Sequence, residues 1–329
     1  MINLERTLKG SAPYQYLHNK SKIWILPGFG GAALYDVLKF FLQEIKSRNL
    51  ADRAAAIAFN FMLAIPPFCI FLFTLVPFIP LQNIEPTLYD LAKSLTPNYN
   101  SYMIVREMIH DFLYTYRNGL LSVAFVIGFY YSSNGVMGIL RSFQKMLPGF
   151  KRRKWWQNRL TAIKLTSLLV LLVLATLVLI VTQGNLFRYI LKELGIMNEY
   201  TRILIGATRW LIIVLLFFFT ISFIYKFGPA TTTKWKFITP GSTLAAFLMI
   251  LVTLGFSFWV NNFGNYNRIY GSIGTILIMM LWIYFNSFII LIGFELNASI
   301  GALKEINNAK EIELNAQEEE NNMFQEDDE

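Results

Sequence analysis

The hydrophobic pattern of this chain changes character several times, and each change marks an element. From 34 to 50 (LYDVLKFFLQEIKSRNL), Leu34, Val37, Leu38, Phe41, Leu42 and Ile45 recur at helical spacing, while Lys39, Glu44, Lys46 and Arg48 mostly fall elsewhere. That spacing predicts an amphipathic helix. Two placements stay open for it: the lipid interface or the protein's own surface. Beyond it the apolar runs become continuous. Six of them, at about 54–78, 120–140, 160–182, 203–225, 238–260 and 271–299, approach or exceed the ~20 residues with which a helix rising ~1.5 Å per residue crosses a bilayer. The expected fold class is therefore all-α: a polytopic membrane protein with six transmembrane helices in one bundle over 51–300. Residues 1–33, polar and then glycine-rich (WILPGFGG), read as an irregular cytoplasmic lead-in. The stretch 81–118 reads as two short amphipathic helices separated by Thr96-Pro97-Asn98.

Charge orients the bundle. The net charge of +8 conceals a split, because residues 301–329 hold Lys304 and Lys310 against ten acids. That polar segment cannot bury enough apolar surface to fold alone and is expected to be an acidic, disordered cytoplasmic tail. With both termini cytoplasmic, 21 of the 29 Lys and Arg residues fall on the inner side, as the positive-inside rule requires. Eight of them lie in 141–164, beside Trp155 and Trp156, where anionic lipid headgroups are the expected partner. Because the cations flank apolar spans, no nucleic-acid partner is expected. Oligomerisation is open and nothing in the sequence indicates it. Cys69 is the only cysteine, which excludes an intrachain disulfide and a thiolate metal site. No cofactor or metal is expected.

The candidate functional residues are polar groups placed inside apolar runs. In the first span, Pro66 and Pro67 predict a kink, since proline removes a backbone donor and crowds the preceding turn. In the second, Ser132, Ser133 and Asn134 accompany a small-residue stripe, Gly128, Ser132, Gly135 and Gly138, which suits close helix approach; either interhelical bonding or a substrate path fits. In the last, Asn286, Gly293 and Asn297 share one helix face, with Tyr284, Phe288 and Glu295 nearly opposite. Glu295 falls near the cytoplasmic boundary, at the level expected for Asp52, Arg53, Arg141 and Lys164. An ionic latch among Glu295, Asp52, Arg53 and Arg141 is one reading; a Glu295 that reaches headgroup water is the other.

Four stretches, DRAAAIAFNFMLAIPP (52–67), FYYSSNGVMGILRSF (129–143), PGSTLAAF (240–247) and YGSIGTILIMMLWIYFNSFIILIGFELNA (270–298), resemble the YihY/BrkB family of bacterial inner-membrane proteins. The resemblance implies six membrane helices and a multi-pass place in the bacterial cytoplasmic membrane. Some members have carried a ribonuclease label. No HxHxDH-like ligand cluster stands in this sequence, so an enzyme is not expected. Two functions stay open: a transporter or flippase of a small or lipidic substrate, or a non-transporting membrane scaffold or envelope-assembly factor that binds anionic lipid or a protein partner.

Overall fold

Long helices follow directly from the apolar runs, since a backbone in lipid must satisfy its own polar groups. The structure is a computed structural model and describes residues 20–47, 49–75, 84–96, 99–114, 121–193, 199–263 and 272–326. Its helices are α1 (Leu34–Ser47), α2 (Leu50–Leu75), α3 (Ile84–Leu95), α4 (Tyr99–Tyr114), α5 (Leu121–Ser142), α6 (Trp155–Glu193), α7 (Glu199–Phe227), α8 (Pro240–Phe263) and α9 (Ser272–Glu326). Among the described residues there is no strand, only one isolated bridge between Phe150 and Thr231.

By length and composition, segments of α2 (Leu50–Phe71), α6 (Trp155–Leu179), α7 (Trp210–Phe227), α8 (Pro240–Val260) and α9 (Ile276–Gln317) suffice to cross a membrane. The protein is thus an all-helical membrane protein with several apolar helices. Among the described residues, α5, the second expected span, is not one of these five.

The packing closes a ring: α2 lies against α5, α5 against α6, α6 against α7, α7 against α8, α8 against α9, and α9 against α2. All six send side chains into one core, including Ile57, Ile139, Leu165, Ile221, Ala245, Leu291 and Phe294. That core sits at the end of the bundle where the 143–154 and 228–239 loops meet, here called the basic end. α1 packs outside the ring on α9: Val37 is fully buried with Phe29, Ala32, Leu296 and Ile300, while Leu38 and Leu42 remain exposed. The amphipathic helix thus presents one apolar edge to the protein and another outward. Residues 24–33 are irregular, as expected, and turn on positive-φ glycines such as Gly28; residues 1–19 of the expected lead-in lie outside the described residues.

The structure departs from the sequence expectations at three places. The third span, expected to end near residue 182, continues as α6 to Glu193. Residues 301–326, expected to be disordered, continue α9 to Glu326, with 307–317 exposed. The reason is helix propensity: Ala, Glu, Lys, Leu and Gln dominate the segment, and a preformed span removes the nucleation cost. Residues 327–329 of the expected tail lie outside the described residues. The basic loop is also shorter than expected, because α6 begins at Trp155 and carries Arg159 and Lys164 with it.

Candidate functional site

Glu295 lies on α9 at the basic end and is fully buried. Its Oε1 accepts a hydrogen bond from Arg53 Nη1 at 2.8 Å, and its Oε2 accepts one from Lys145 Nζ. Lys145 also donates to Glu44 Oε2 at 3.0 Å, and Arg53 Nη2 donates to the Ser142 carbonyl at the end of α5. Two acids and two bases therefore join α1, α2, the end of α5 with its following loop, and α9. The Lys145 and Glu295 side chains have no exposed surface, so each carries a desolvation cost that only the other charges offset. Phe294, the preceding residue, stacks on Phe143 with centroids 4.0 Å apart and planes 6° apart. Trp235 and Phe150 enclose its remaining edges at 5.9 and 6.2 Å.

The two loops beside the cluster are fastened to each other. Lys151 N–H donates to the Ala230 carbonyl at 2.7 Å. Arg153 donates from Nη1 to the Gly228 carbonyl at 2.6 Å and from Nη2 to that of Pro229 at 3.1 Å, serving carbonyls that α7 leaves at its end. Partial burial lowers the Arg153 pKa from the ordinary arginine value by desolvating the charged form.

Two residues beyond Glu295 on α9, Asn297 serves α8. Its Oδ1 accepts from Gly241 N–H at 2.8 Å and its Nδ2 donates to Thr239 Oγ1 at 2.8 Å. Thr239 is the N-cap of α8: its Oγ1 accepts from Ser242 N–H at 3.1 Å, and Ser242 Oγ accepts from Thr239 N–H at 3.0 Å. Pro240 follows at the first helical position, where no donor is missed. The approach is close enough that a Cβ on Gly241 would lie 2.1 Å from the Gly293 carbonyl oxygen. Only glycine permits that crossing, which puts the Gly241 donor within reach of Asn297.

A second polar site joins α5 and α6. Arg159, 8% exposed, donates from Nη1 to Asn134 Oδ1 at 2.7 Å and from Nη2 to the Tyr130 carbonyl at 2.9 Å. The Tyr130 ring centroid lies 3.6 Å from the Arg159 Cζ, a cation–π contact. Farther along the helices, a cavity of about 250 Å³ lies between α2, α5 and α6. Its walls include Phe61, Phe68, Val136 and Val170, with Ser132 and Thr166 as the polar members.

The structure thus sorts the expected site residues. It brings Arg53 to Glu295 and leaves the expected latch members Asp52 and Arg141, with Lys164, exposed and outside the hydrogen bonds of that carboxylate. Those three residues lie on outward helix faces. Lys145 and Glu44 take the places expected for them. The sequence signal for Lys145 was its setting: it stands alone among Phe143, Met146 and Leu147, apart from the Lys151–Lys154 run. Ser132 and Ser133 are buried but donate to the carbonyls of Phe129 and Tyr130, three residues back on their own helix. Asn286 donates to the Trp282 carbonyl at 2.8 Å, while its Oδ1 and the Trp282 Nε1 are buried with no hydrogen-bond partner among the described residues. Asn297 is a cap. Pro66 and Pro67 lie within the unbroken helix α2, and a Cβ on Gly128 of α5 would come within 3.0 Å of the Pro67 carbonyl oxygen.

Comparison with known proteins places the chain among bacterial membrane-protein relatives. The family model described as "Virulence factor BrkB" matches residues 41–318. YfkH of Bacillus subtilis (strain 168), described as a ribonuclease-like protein, is 30% identical over 270 residues, covering 81% of this chain and 97% of that protein. The UPF0761 membrane protein PSHAa0171 of Pseudoalteromonas translucida is 38% identical over 95 residues, 29% of this chain and 31% of that protein. A UPF0761 membrane protein of Tolumonas auensis is 36% identical over 78 residues, 24% and 26% of the two chains. No solved structure matches the chain significantly.

Proposed function

We propose, from the premise that the chain belongs to the virulence factor BrkB family, that it moves a lipidic substrate through its helical ring. The Glu295 cluster would act as the gate at the basic end. The observation that carries this reading is the cavity between α2, α5 and α6, whose walls are apolar except for Ser132 and Thr166. Such a surface suits acyl chains and offers little to a hydrated solute. Ser132, Ser133 and Asn297 spend their hydrogen bonds on the helices themselves, which weakens the case for a polar path. A buried, four-membered ionic cluster suits a gate because its partners stand on separate elements that can part only together.

In this reading α5 joins the other apolar helices as a sixth span, both termini lie in the cytoplasm, and the membrane is the bacterial cytoplasmic one. A reporter fused within 141–160 should stay on the cytoplasmic side; its appearance outside would invert the topology. RNA cleavage is left out of the reading, because the sequence offers no ligand cluster of the kind a metal-dependent nuclease needs.

The test is lipid translocation. Full-length protein in vesicles carrying a headgroup-labelled fluorescent phospholipid should speed the loss of protection from an impermeant quencher, and Glu295→Gln should change that rate. Vesicles with wild-type and variant protein that behave like protein-free ones would favour the second reading, a scaffold on anionic lipid. The exposed Lys151, Arg152, Lys154, Trp155 and Trp156 support that second reading, at roughly 1 kcal/mol per basic residue near an anionic surface.

A further inference from the structure

Arg159 is a buried cation whose bonded partners are all neutral: the Asn134 amide, the Tyr130 carbonyl and the Tyr130 ring. Among the described residues its buried Nε has no partner, and no carboxylate pairs with it. A desolvated charge in this position is costly unless something completes it. Ala162, Thr166 and Val170 follow Arg159 on the same face of α6. Thr166 has its own buried Oγ1, without a partner among the described residues, and lines the apolar cavity. Ser132, which also lines it, stands in the same turn of α5 as the two residues that hold the guanidinium.

A lone cation two helical turns along α6 from an apolar cavity matches a molecule that is anionic at one end and apolar at the other. We infer that Arg159 holds the oxyanion of a membrane amphiphile with a net negative headgroup, whose acyl part enters the α2–α5–α6 cavity. The guanidinium fork presents parallel N–H groups to phosphate or carboxylate oxygens, and Nε is the donor left for them. This assignment rests on the lipid-handling reading and adds to it a substrate class.

The full chain, purified in detergent, is incubated with phosphatidylglycerol or phosphatidylcholine, and bound lipid is counted by native mass spectrometry. Wild type should favour phosphatidylglycerol by about tenfold, the worth of one charge-assisted hydrogen bond. Arg159→Gln should abolish the preference and Arg159→Lys should keep part of it. Asn134→Asp guards against variants that fail to fold, since it gives Arg159 an internal counter-ion and strengthens the α5–α6 contact. It should lose the preference while melting no lower than wild type. Retention of phosphatidylglycerol by Asn134→Asp or Arg159→Gln at the wild-type level would overturn the inference, as would a wild type with no preference.

Inorganic phosphate is the second arm. Phosphate that binds in an Arg159-dependent way and displaces phosphatidylglycerol would assign the site to a soluble anion and overturn the headgroup. The translocation assay separates the two proposals. Arg159-dependent lipid retention without translocation would leave this site standing and remove the transport reading. Translocation blind to headgroup charge would do the reverse.

Discussion

Lys145 and Arg159 both come from the basic stretch after α5, and both are buried, yet the protein treats them in opposite ways. Lys145 is answered by two carboxylates, Glu44 and Glu295, and Glu295 is answered again by Arg53. Arg159 is answered by an amide, a carbonyl and a ring face. The first arrangement is electrically closed and joins four elements. The second is open and keeps a spare donor. Burial of charge alone therefore does not mark a binding site; the informative quantity is whether the buried charge is already compensated.

Experiments can break this contrast, and the largest effect should come from the closed cluster. Glu295→Gln leaves Lys145 with one carboxylate and Arg53 with none at that position, so it should destabilise the protein by roughly 3–5 kcal/mol. The denaturation midpoint of the purified protein in detergent measures this. Replacing the pair together, Lys145→Met with Glu295→Leu, should cost much less than Glu295→Gln alone, because no charge is stranded. A double variant as unstable as the single would show that packing, not charge, holds this end.

Next comes Asn297→Ala, which removes the acceptor for Gly241 N–H and one donor to Thr239. The loss should be about 1–2 kcal/mol, the usual range for a helix cap, and should appear as faster hydrogen exchange in the first turn of α8. For Arg159→Met the same melt should fall by about 1 kcal/mol or less, since its desolvation already cancels most of what its neutral hydrogen bonds contribute. A drop as large as that of Glu295→Gln would erase the distinction between the two cations. The smallest effect belongs to the exposed pair Lys151→Gln with Arg152→Gln, which should move the melt by no more than about 0.5 kcal/mol.

Much of the site was legible before the fold. Glu295 stood out as a charge at the end of an apolar run, and Arg53 as a cation at the matching depth; the two meet at 2.8 Å. Asn297 stood out as well, but its task, capping a helix that lies 56 residues earlier in sequence, depends on a crossing that no local pattern encodes. Arg141 and Lys145 are both cations of the 141–164 stretch. They stand four positions apart, and the end of α5 turns one outward and the other into the core.

The apolar runs, with their lengths and charged margins, determined by themselves that this chain is helical and lives in a membrane, because lipid accepts a backbone only when its polar groups are satisfied locally. The tertiary structure alone decided which buried charges are neutralised and which are left open. That depends on how helices distant in sequence rotate against one another.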